Sequence, residues 1–98
     1  VIDVIDVIDK CVELRVQRGK CGDDFNRAFA HWTTHAKTSA RLKEAARRCK
    51  SLAHIYDASL DKLLDCLTTH EPSTEQQEEI DRVLEFKRLL AVNVALLP

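Results

Sequence analysis

The chain has 98 residues, a formal charge of -1 and a pI near 6.5. That size makes one small domain whose hydrophobic core alone supplies modest stability, and the balanced charge argues against a dedicated nucleic-acid or membrane-surface protein, which carries a marked basic excess. Two Gly, two Pro and abundant Ala, Leu, Lys, Arg and Glu point to an all-α fold.

The opening, Val1 to Arg18, repeats Val-Ile-Asp three times. On a helix this period places Asp3, Asp6 and Asp9 within an arc of about 120° and leaves the rest apolar, so the spacing predicts a helix over 2–18 covered on most sides. Gly19-Lys20-Cys21-Gly22 reads as its end, with Gly available for a left-handed closing residue, and Asp23 or Asp24 as the cap of the next helix.

From Phe25 to Leu67 alternating steps of three and four give one helical seam: Phe25, Ala28, Trp32, His35, Ser39, Leu42, Ala46, Cys49, Ala53, Tyr56, Leu60, Leu63 and Leu67. It is either one very long helix or two helices hinged near His35 to Ser39, where Thr and Ser compete for backbone hydrogen bonds and Ser39 offers a fresh N-cap. The hinged reading gives helices over 24–37 and 39–69. His70-Glu71-Pro72 ends the second, and Ser73-Thr74-Glu75-Gln76 is a capping-box pattern opening a last helix over 74–96. The apolar run Leu89 to Leu97 is expected either to meet the first helix in the core or to form a partner patch.

Cys11, Cys21, Cys49 and Cys66 are an even number in a short chain that lacks Met and begins at Val1. This fits a processed, secreted, extracellular domain with two disulfides, against the alternative of four buried thiols acting as small hydrophobes. Paired Cα atoms must lie within about 7 Å. In a hairpin with helices running down, up and down, the Cys11–Cys21 and Cys49–Cys66 spans nearly match, which predicts Cys11–Cys49 and Cys21–Cys66; a Cys21–Cys49 bond strands Cys11 far from Cys66. The expected fold is a compact four-helix bundle stapled by two disulfides. No apolar run reaches the ~20 residues needed to cross a bilayer.

Candidate chemistry is sparse. His31 and His35 stand four apart, as two ligands of one metal would, but Trp32, Thr33 and Thr34 replace the Glu of a His-Glu-x-x-His site and no third ligand is evident, so no metal and no cofactor is expected. No Cys has an ordered base or an oxyanion hole nearby in sequence, and an enzyme is not expected. Arg41, Lys43, Arg47, Arg48 and Lys50 form the one basic cluster, and Asp57, Asp61 and Asp65 an acidic stripe. Without aromatic interleaving the basic cluster suits Asp57 to Asp65 of another molecule, or equally an acidic surface on a target protein, better than nucleic acid, and both groups are candidate partner contacts.

Cys11, Cys21, Cys49 and Cys66 on a Met-free chain of this size resemble the layout of small all-helical, two-disulfide salivary proteins of blood-feeding insects, a class that includes complement and clotting inhibitors. The resemblance implies a monomeric, non-enzymatic binding protein that blocks a host protein or protease complex through helix faces, with no membrane or nucleic-acid partner. A second resemblance, in Asp24-Phe25, His31, Ile55-Tyr56, Leu60 and Leu63, is to the first long helix of F-BAR membrane-bending domains. It implies a dimer and needs the straight form of the seam.

Overall fold

The glycines at 19 and 22 do not stop the first helix. In a computed structural model that describes residues 4–35, 42–69 and 71–98, with side chains over 11–34, 43–69 and 71–98, α1 runs unbroken over Val4–His35, followed by α2 over Leu42–Leu67 and α3 over Thr74–Ala95. Three helices thus replace the four expected from the sequence, because the separate helices predicted over 2–18 and 24–37 are one. No described glycine has positive φ, so neither closes a helix in the left-handed conformation. Asp24, expected as a possible cap, instead accepts from Arg27 at 2.8 Å one turn on. The seam that begins at Phe25 in the sequence extends backwards in the same steps through Cys21, Arg18, Leu14 and Cys11, and Cys11, Leu14, Phe25 and Trp32 are buried. A continuous stripe to bury outweighs the propensity cost of two glycines, about 1 kcal/mol each.

α1 and α2 are antiparallel. Cys11 is bonded to Cys66 with Cα atoms 6.1 Å apart, Gly22 lies against the Tyr56 ring, and the Phe25 and Tyr56 ring centroids are 6.2 Å apart. The seam is therefore divided between two helices, and the straight form required by the F-BAR resemblance is not present. Ser39 and the side chain of His35 lie outside the described residues, as do Asp3 and the side chains of Asp6 and Asp9.

The disulfide pairing differs from the expected Cys11–Cys49 and Cys21–Cys66. With α1 continuous, Cys11 sits opposite Cys66, Cys21 falls near the height of Tyr56, and Cys49 faces the stretch near Ala28, so Cys21 and Cys49 are separated by about two helical turns, or ~10 Å. That is too far for a bond. Both are free thiols, Cys49 buried and Cys21 half-buried. The one crosslink closes a sequence separation of 55, for which loop-closure entropy gives about 4 kcal/mol of stabilisation.

α3 starts with the capping box read in the sequence: the Ser73 hydroxyl accepts from the Gln76 N–H at 3.3 Å while the Ser73 N–H donates to Gln76 Oε1 at 3.0 Å. The helix returns antiparallel to α2, burying Ile80, Val83 and Leu90, and Leu97 just past its end is buried as well. It lies parallel to α1 and reaches it through Arg15–Glu79 and through Arg18, whose guanidinium stands 5.1 Å from the Phe86 centroid. The C-terminal turns of α3 therefore lie at the far end of the molecule from the apolar start of α1, and the two do not meet. Leu89 and Val92 on α3 and Leu96 at its C-cap are exposed. The molecule measures 55 × 19 × 15 Å, an elongated body rather than a compact bundle.

The two glycines make opposite demands. A Cβ at Gly19 would meet nothing within 4 Å, whereas one at Gly22 would stand 3.2 Å from Tyr56 Cζ. Gly19→Ala is expected to stabilise the protein by about 0.5–1 kcal/mol through helix propensity. Gly22→Ala has the same propensity gain but must displace a buried ring, so its net effect is smaller or negative. Urea unfolding of both variants under oxidising conditions checks this, and equal gains would contradict the close approach.

Candidate interaction surface

α2 is the central helix, and its two flanks differ from its outer face. Its core seam, Ala46, Cys49, Ala53, Tyr56, Leu60, Leu63 and Leu67, is buried against the neighbours. The candidate contact residues of the sequence do not share one environment. Lys43 and Arg47 are exposed on the outer face of α2, and Arg41 lies outside the described residues. Arg48 turns toward α1, lining a groove of about 520 Å³ with Arg27, His31 and Asp24 over Ala28, Ala45 and Leu52. Lys50 turns the other way, onto a groove of about 450 Å³ between α2 and α3, with His54, Asp57 and Lys87 around an apolar floor of Ala53, Leu90 and Val94.

The acidic stripe is tied into the fold. Lys87 of α3 binds Asp57 at 3.3 Å and also pairs with Asp61. These contacts, the hydrogen bond that Lys87 donates to Asp61 foremost, hold the Lys87 ammonium above its ordinary value. Asp65 is exposed in the last turn, where its backbone carbonyl accepts from the Thr69 hydroxyl at 2.8 Å. Lys87 escaped the sequence reading, because its spacing on α3 says nothing about its height beside α2.

The same holds for the clamp between α1 and α3. Arg15 donates to both carboxylate oxygens of Glu79, Nε at 2.5 Å and Nη2 at 2.6 Å. This fork lowers Glu79 below its ordinary value of 4.5 and raises Arg15, the hydrogen bond being the largest cause of each shift. Burial pushes the Cys49 thiol and the Tyr56 phenol up, which keeps both neutral at physiological pH. Among the described residues, no three or more His, Cys, Asp or Glu side chains gather as a metal-binding group. Trp32 is buried, and its indole N–H finds no acceptor among the described residues.

Comparison of the chain with family models, with curated proteins and with solved structures finds no match. The chemistry of this surface therefore has to be read from its own residues. Both flanks of α2 are shallow grooves rimmed by charge, and its outer face is a ridge of long charged side chains. Such a surface suits contact with another macromolecule better than enclosure of a small substrate.

Glu79 provides a pH-dependent test of how the helices are joined. Because its folded value is depressed, its contribution is present above the ordinary value of 4.5 and is lost as pH falls through the folded value. Glu79→Gln is expected to cost about 1 kcal/mol at neutral pH, since the pair is partly exposed. The difference from the parent protein should shrink steadily below pH 4.5. Denaturant midpoints measured across that range check both the sign and the window.

Proposed function

We propose that this chain is a secreted, non-enzymatic binding protein, and that it inhibits a host-defence or haemostatic protease system, complement before clotting, by steric occupation. The observation that carries the reading is the basic half of α2, where Lys43, Arg47 and Lys50 stand exposed on a helix whose position is fixed by the Cys11–Cys66 bond. A crosslinked helical ridge loses little conformational entropy on docking, and a basic ridge favours encounter with an acidic protein surface. A disulfide that persists fits an oxidising compartment. Asp57 and Asp61, held by Lys87, serve this reading as structural residues, and the partner contact is assigned to the basic residues, with Arg48 contributing from the groove toward α1.

Complement-lysis and clotting assays with the oxidised protein test the proposal. At micromolar concentrations, far below those at which weak self-contacts matter, the parent protein should delay one of them. The triple variant Lys43→Glu, Arg47→Glu, Lys50→Glu should lose at least about tenfold in potency, as expected when several charge pairs turn repulsive. No delay in either assay would overturn the specific reading.

A further inference from the structure

The exposed side of α2, from its outer ridge to the rim of the α3 groove, carries a stripe of charge in two blocks. Lys43, Arg47 and Lys50 lie toward its start and Asp57, Asp61 and Asp65 toward its end, with exposed His54 between them. At about 100° per residue all seven positions fall within a sector of roughly 80° on the helix. Along this stripe the order opposes the helix dipole, which favours acidic groups at the start and basic groups at the end; Glu44 in the first turn and Lys62 near the end, which follow the dipole, lie off the stripe, about 60° beyond its edge. A charge order that costs the helix locally points to a role outside it.

We infer that this stripe of α2 is self-complementary and docks, antiparallel, on the same stripe of a second copy of this chain, about a two-fold axis through His54. The register follows from the numbering: the midpoint of Lys43 and Asp65 is position 54, as is that of Arg47 and Asp61, and Lys50 falls one residue from direct opposition to Asp57. Each pair occurs twice, as an isologous interface requires. Near the axis the face carries Ser51 and Ala58, both small and exposed, which lets the two helices approach while the long side chains engage at either end. Lys87 does not exhaust the acidic half, because the Asp57 and Asp61 side chains remain 48% and 53% exposed. A second copy fits better than a foreign partner because one surface supplies both signs in matching register.

Pairs of this exposed kind are individually weak, so the dimer is expected to be reversible and to form at concentrations of about 1 mM in low salt. It goes beyond the binding function proposed above and competes with it for Lys43 and Arg47. The two are tested separately, because sedimentation needs no target and the inhibition assays run where the chain is monomeric.

The experiment is sedimentation equilibrium of the oxidised full chain at about 0.02 M and about 0.5 M salt. It includes the charge-reversed variants Lys43→Glu/Arg47→Glu and Asp61→Lys/Asp65→Lys, whose helicity is verified by circular dichroism. The parent should dimerise in low salt and weaken at least about tenfold in high salt. Each variant alone should be monomeric, and an equimolar mixture of the two should associate, because every pair then becomes attractive again. A parent that stays monomeric at about 1 mM in low salt overturns the proposal. So does a dimer that survives high salt and persists in both variants but is lost in Val92→Glu, since that association would run through the apolar stripe of α3.

Discussion

The bond between Cys11 and Cys66 sets the height at which α1 meets α2, and every other contact between those helices follows from it. Counting inward, Gly22 and Phe25 arrive beside Tyr56, and the stretch near Ala28 arrives beside Ala45 and Arg48. A slip of one turn that brings Phe25 or Asn26 to this height would drive a side chain into the Tyr56 ring where Gly22 now leaves room. The crosslink acts mainly on the unfolded chain, while Phe25 and Gly22 of α1 against the Tyr56 ring of α2 hold the folded register.

Charge then joins the third helix to this pair. α3 buries Ile80, Val83 and Leu90, but its lateral position is marked by long side chains: Arg15 on Glu79, Arg18 over Phe86, and Lys87 on Asp57 and Asp61. These contacts fall on both sides of α3, toward α1 and toward the edge of α2. The outer ridge of α2 is left to solvent with its basic half unengaged by any described carboxylate. The structural use of Asp57 and Asp61 and the exposed state of Lys43 and Arg47 thus have one origin, namely the side of α2 on which α3 returns.

Much of this architecture was legible in the sequence where the signal is local. The seam in steps of three and four marks the buried faces of α2 and of the second half of α1, and Ser73 with Gln76 marks the start of α3. The signals that misled were also local. Gly19 and Gly22 read as punctuation, although Cys11, Leu14, Arg18, Cys21 and Phe25 continue the seam in the same steps straight through them; following the stripe instead of the glycines would have joined the two predicted helices. That error carried into the disulfides, since the ladder Cys11–Cys49 and Cys21–Cys66 requires segments 11–21 and 49–66 to run in the same direction, and so a reversal of the chain just after Cys21 that the continuous α1 does not make. Lys87 and Glu79 belong to a different class. Their partners are 26 residues and more away in sequence, and only the relative heights of packed helices bring them together.

Peptide mapping of the native protein without reduction, after alkylation in denaturant, tests the central claim most directly. A Cys11 peptide joined to a Cys66 peptide, with Cys21 and Cys49 both alkylated, is the expected result. Cys11 joined to Cys49 and Cys21 to Cys66 would contradict it, because that pattern demands a break within α1 and a different set of faces on α2.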